Sequence, residues 1–126
     1  MAAPNLANTT SIYGKTLAYD ATTTVNTAAL TCPTDKVLKI NTIYIRENSN
    51  EEIRVDFYDS SEALQIRIFD TVEFGSAGYT RNDPQFIVTK DNYFYLEEGD
   101  ELRIWMTGSG TNDRKVMISY EEIDDA

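Results

Sequence analysis

Apolar and polar residues alternate along most of this chain with a period of two. Ile53, Val55 and Phe57 alternate with Arg54, Asp56 and Tyr58, which predicts a strand with one buried and one solvated face. Past a turn at Asp59-Ser60-Ser61-Glu62, Leu64, Ile66 and Ile68 alternate with Gln65, Arg67 and Phe69. Val37 to Ile45 is rich in β-branched residues and apolar on both faces, as a central strand would be. Around Glu97-Glu98-Gly99-Asp100, the segments Tyr95-Leu96 and Leu102 to Trp105 read as two strands joined by a tight reversal. Gly99 takes a positive φ at little cost, and Asp100 can bond to neighbouring backbone.

Weaker or shorter strand patterns cover Ser11 to Tyr19, a threonine-rich stretch ending at Leu30, Phe86 to Val88, Tyr93 to Leu96 and Val116 to Tyr120. No window sustains a 3.6-residue period, so no helix longer than about two turns is expected. About eight strands with regular turn signals predict an all-β fold, a single antiparallel β-sandwich of jelly-roll-like form. The predicted core is Leu38, Ile40, Val55, Phe57, Ile66, Ile68, Phe86, Val88, Leu96, Leu102, Ile104, Val116 and Ile118.

Length and composition refine this picture. At 126 residues and 41% hydrophobic, one domain with one core is expected. Residues 1–10 are small and polar, Leu6 being their one sizeable apolar group. They read as an extended N-terminal arm, with the sandwich spanning 11–126. Residues 70–84 hold Gly75, Gly78, Asn82 and Pro84 together with Phe74 and Tyr79. Long irregular segments of this kind are where binding often resides.

The net charge is −10. Phosphate-backbone binders gain affinity by releasing counterions with Lys and Arg, so neither nucleic acid nor an anionic membrane is an expected partner. The acidity suits a partner with a basic docking face. Cys32 is the single cysteine, so no intrachain disulfide forms, and synthesis in a reducing cytoplasm is expected. The opening Met1-Ala2-Ala3-Pro4-Asn5 lacks the charge and apolar run of a signal peptide. No apolar stretch approaches the ~20 residues of a membrane-crossing helix.

Candidate chemistry is sparse. With no histidine in the chain, nucleophilic triads lose their usual base. Cys32 lies beside Pro33 with Lys36 as its nearby cation, which predicts a structural thiol. Asp56, Asp59 and Glu62 form one acidic group, and Asp91, Glu97, Glu98 and Asp100 a second. Calcium takes oxygen ligands, yet neither group has the spacing of a calcium loop, so neither metal nor other cofactor is predicted. An enzyme is not expected. Eight tyrosines and one tryptophan suit interfaces as well as sandwich edges. Trp105, between Ile104 and Met106, is a candidate to point away from the core.

Four segments carry a family resemblance: Pro4-Asn5-Leu6 with Thr10 to Thr16, Lys36 to Asn41, Tyr95 to Arg103, and Ser119 to Ile123. On these the chain resembles the small β-sandwich virion proteins of marine tailed bacteriophages. The resemblance implies a non-enzymatic structural protein present in many copies, assembled in the host cytoplasm and located in the virion. The leading expectation is a capsid decoration or cement protein that stabilises capsomer junctions. A tail, neck or fibre-associated sandwich of the same virion is the second, and a host-glycan-binding module the third.

The expected partners are the major capsid protein or another virion protein, and further copies of the chain as a homo-oligomer, a trimer being one arrangement. Residues 1–16 are expected to lie along a neighbouring subunit. The candidate interface residues are Leu6, Ile12, Tyr13, Phe74, Tyr79 and Trp105.

Overall fold

A computed structural model of the chain describes residues 12–21, 25–47, 53–70, 85–106 and 114–124. Nine strands lie within them: β1 (Ile12–Asp20), β2 (Ala28–Thr31), β3 (Lys36–Glu47), β4 (Ile53–Asp59), β5 (Leu64–Asp70), β6 (Gln85–Val88), β7 (Phe94–Leu96), β8 (Glu101–Met106) and β9 (Arg114–Asp124). One 3-10 turn, Lys90–Asn92, precedes β7. The strands form two antiparallel sheets. One runs β1-β9-β3-β6 with β7 also on β3, and the other runs β2-β8-β4-β5.

Both sheets contribute to one apolar cluster. Leu38, Ile40, Ile43, Ile45, Leu96, Val116 and Ile118 from the first pack with Ile53, Val55, Phe69, Leu102 and Ile104 from the second. Burial of such side chains is the main favourable term in folding. Val88 also lies in this core, while Phe57 and Ile68 pack against it partly buried. The side chain of Phe86 lies outside the described residues.

Two bulges reset the alternation read from the sequence. In β3, Ile40 faces Tyr120 and Thr42 faces Ser119, leaving Asn41 as the extra residue. The inward set therefore changes parity from Leu38 and Ile40 to Ile43 and Ile45, all within 2% of full burial. A bulge adds one residue to one strand, so every later side chain changes face relative to simple counting.

The second bulge corrects the expected core. In β5, Phe69 faces Val55 and Arg67 faces Asp56, so Ile68 is the extra residue. Phe69 is buried, whereas Ile66, expected inside, is 51% exposed. Ile66 does face Phe57, but β5 is the last strand of its sheet, and an edge strand is covered less.

The threonine-rich stretch forms a strand only over the four residues Ala28–Thr31. The expected arm at 1–10 lies outside the described residues. Ile12 to Thr16, expected to lie along a neighbour, pair on one edge with Ile123 to Ser119 of the same chain and so belong to its sheet.

The turns at one end are tied together. Asp100, 2% exposed, accepts hydrogen bonds from the backbone N–H of Ser60 and of Glu97, each at 3.0 Å. Its own carbonyl accepts from the N–H of Cys32 at 2.9 Å, and Gly99 N–H donates to the Cys32 carbonyl at 3.1 Å. Two strand connections thereby share one buried carboxylate, and backbone hydrogen bonds of Gly99 and Asp100 tie in the third, consistent with the near-complete satisfaction of buried polar groups.

Candidate functional site

Strand β1 is nine residues long and mostly exposed. It ends its sheet, and among the described residues it pairs only with β9. The register from Ile12–Ile123 to Asp20–Lys115 is unbroken. Leu17 faces Ile118 and Tyr19 faces Val116, so Tyr13, Lys15, Leu17 and Tyr19 share the core-side face. Gly14, Thr16 and Ala18 share the opposite face. Only Leu17 and Tyr19 are partly buried; Ile12 and Tyr13 are 55% and 58% exposed.

Charge along β1 is neutralised locally. The Lys15 ammonium lies 2.6 Å from the Glu122 carboxylate, and Lys115 lies 2.7 Å from Asp20. The hydrogen bond to Glu122 raises the Lys15 pKa above its ordinary value. On the outward face a shallow groove of about 400 Å3 is lined by Thr16, Ala18, Tyr44 and Met117, among others.

The outward face of the other sheet is closed by its own side chains. Trp105 faces Arg54, and Asp56 faces Arg103 across β4 and β8. The Arg67 guanidinium lies over the Trp105 ring at 5.4 Å, and that of Arg103 over Tyr58 at 3.9 Å. Arg67 Nε donates to Asp56 Oδ1 at 2.6 Å, and Gln65 Nε2 donates to Asp56 Oδ2. Arg103 Nη1 donates to Gln65 Oε1 at 2.9 Å. Trp105 thus turns from the shared core yet is only 7% exposed. A sugar could stack on it only after Arg67 moved away, which disfavours Trp105 as a glycan platform.

The two acidic groups resolve into structural parts. Asp56 is held by Arg67 and Gln65, while Asp59 accepts from Ser61 Oγ at 2.7 Å and Ser61 N–H at 2.9 Å. The Ser61 hydroxyl is the main reason that the Asp59 pKa falls below its ordinary value. Asp100 serves the turn cluster. Among the described residues no three Cys, Asp or Glu side chains converge as metal ligands. Cys32 is buried, its Sγ 3.1 Å from the Lys36 carbonyl. Burial pushes its thiol up to about 11, the opposite of an activated nucleophile.

A second groove, of about 350 Å3, is lined by Phe57, Ile68, Val88, Asn92, Phe94 and Tyr95. Its walls are apolar, with Phe57 and Phe94 in edge-to-face contact at 6.1 Å between ring centroids.

Of the residues expected to bind, Ile12 and Tyr13 sit side by side on β1, while Trp105 belongs to the other sheet. Leu6, Phe74 and Tyr79 lie outside the described residues. The pairing of Ser60 with Asp100 carries no local sequence signal, because the two are far apart in the chain. No family model matches this chain, and no curated protein matches it either.

Proposed function

We propose that this chain is a non-enzymatic virion structural protein of a tailed bacteriophage, a capsid decoration or cement protein stabilising capsomer junctions. The fold proposed with this role is a jelly-roll-like β-sandwich bearing an arm at residues 1–10. The observation that carries the reading is the accessible strand β1, which follows that segment directly and exposes Ile12 and Tyr13 at its start. A chain that leads straight into an exposed edge can add backbone pairing and apolar anchoring to a neighbour. The residue types support the same reading, since a chain without histidine and with one buried thiol has little to offer catalysis.

In this proposal the partners are the major capsid protein or another virion protein, together with further copies of the chain. The net charge of −10 favours encounter with basic patches on the capsid. Apolar side chains at the centre of a contact carry more of the affinity than charges at its rim. Phe74, Tyr79 and Leu6 are the proposed apolar contributors beside Ile12 and Tyr13.

Copy number tests the reading. Quantitative mass spectrometry of the purified virion should find the chain on the head in far higher copy than any tail component. Its absence from the particle rejects the proposal, and a low copy number confined to the tail replaces a cement role with a tail role. Deleting residues 1–10 should lower occupancy on the head while the β-sheet spectrum persists.

A further inference from the structure

We propose that β1 is a self-pairing edge, along which two copies of this chain join antiparallel with Thr16 on the two-fold axis. This goes beyond the virion reading and stands without it, because it needs only β1 and its place in the sheet.

The segment Tyr13-Gly14-Lys15-Thr16-Leu17-Ala18-Tyr19 reads nearly alike from both ends. Centred on Thr16, an antiparallel pairing sets Tyr13 against Tyr19 of the partner subunit. Gly14 meets Ala18 of the partner subunit, Lys15 meets Leu17 of the partner subunit, and Thr16 meets its own copy. Every position then faces a residue of its own size class: ring on ring, small on small, long on long. Directly opposed side chains are the unit of sheet stabilisation. A two-fold contact uses one patch twice, so a near-palindromic edge suits a second copy of itself better than an unrelated strand.

β1 is the terminal strand of its sheet, and among the described residues no strand pairs with its other edge. Protein edges are commonly guarded by proline, by a bulge or by charge. β1 contains no proline, its register shows no bulge, and its central charge is matched by Glu122 at 2.6 Å. On the outward face, Gly14, Thr16 and Ala18 are small and exposed. A Cβ added at Gly14 would meet nothing within 4 Å. The small outward side chains of β1 therefore leave room for a paired strand to approach. Each copy carries −10, so added salt should tighten the pairing by screening repulsion between the copies.

The test uses the full chain in sedimentation velocity over a range of concentrations, with Thr16→Lys and Thr16→Glu as variants. The wild type should form dimers, more so at higher salt. Each variant alone places like charges on the axis and should weaken the dimer about tenfold or more. An equimolar mixture of the two should restore it as a heterodimer. Thr16→Cys should cross-link into a disulfide dimer under mild oxidation, since directly paired strand positions lie within disulfide reach. Ala18→Cys should not, because Gly14 of the partner subunit faces it. Circular dichroism confirms the fold of each variant, and the Thr16→Cys and Ala18→Cys pair decides the matter if the charged variants fail to fold. A wild type monomeric at every concentration would overturn the proposal. So would charged variants that dimerise as tightly as wild type, or Ala18→Cys cross-linking as readily as Thr16→Cys.

Discussion

The carboxylate of Asp100 accepts the backbone N–H of Ser60 at 3.0 Å, joining the β4–β5 turn to the β7–β8 turn across the end of the fold. The Ser60 hydroxyl lies 3.1 Å from the same oxygen, and Glu97 N–H binds the other at 3.0 Å. Removing the acceptor takes the carboxylate from two backbone donors at a part-buried site. Asp100→Ala should lower stability by about 3 kcal/mol, and Ser60→Ala, which loses only a hydroxyl, by about 1 kcal/mol. Urea denaturation measures both. The double variant should lose less than the sum of the singles, and simple additivity would show that the two residues are not coupled.

Gly99 adds a steric condition to the same turn. Its φ is +85°, and a Cβ there would come within 2.8 Å of the Ser60 Oγ. Gly99→Ala should therefore cost about 1–2 kcal/mol from the left-handed backbone alone, with the contact adding to it. Introducing Ser60→Gly alongside should relieve the contact and leave the backbone cost. A Gly99→Ala protein with wild-type stability would refute the assigned turn geometry.

Asp56 is 1% exposed and depends on Arg67 and Gln65 for its hydrogen bonds. Truncating the partly exposed Arg67 leaves the buried Asp56 carboxylate with less compensation, so Arg67→Ala should destabilise by about 2 kcal/mol. The same change uncovers the chain's single tryptophan. Native Trp105 emission should be shifted to the blue and weakly quenched by acrylamide. In Arg67→Ala it should shift to the red and become readily quenched, and strong quenching already in the wild type would contradict the observed burial.

The Cys32 thiol, ordinarily near 9.0, is held up to about 11 by burial. The folded thiol thus ionises at a higher pH than the unfolded one. The stability it contributes is complete below about 9 and is lost as pH rises towards about 11. Thermal unfolding of wild type against Cys32→Ala across that range should show the difference between them shrinking. At pH 8 a thiol reagent should label Cys32 only as fast as the fold opens, and rapid labelling of the native protein would argue against a buried group.

Much of the fold was legible because strand pleating is local. Val55, Leu102, Ile104, Val116 and Ile118 lie inside, as a period of two requires of a half-buried strand. The turn at Gly99-Asp100 was equally readable, since turn chemistry depends on adjacent residues. The hairpin expected around it does not form: β7 pairs with β3, and β8 with β2 and β4 in the other sheet. The self-matching segment from Tyr13 to Tyr19 is present in the sequence. Its exposure is not, because only the strand order puts β1 at the end of a sheet.

What the tertiary structure decided concerns relations between distant residues. Asn41 and Ile68 become bulges through the strands they pair with, and each reverses the faces beyond it. Alternation could not place Phe69 inside for that reason, whereas Ile66 keeps the face opposite Phe57 and is exposed because β5 ends its sheet. Trp105 faces away from the shared core, as its neighbours allowed. Its cover comes from Arg67, which reaches it from β5 across the intervening β4. Asp100 reads locally as a turn residue, yet its carboxylate acquires Ser60 only when two separate turns meet. Periodicity and turn preference are properties of a few consecutive residues and survive in the sequence. Register, edges and buried hydrogen-bond partners are set by contacts between segments, which only the folded chain brings together.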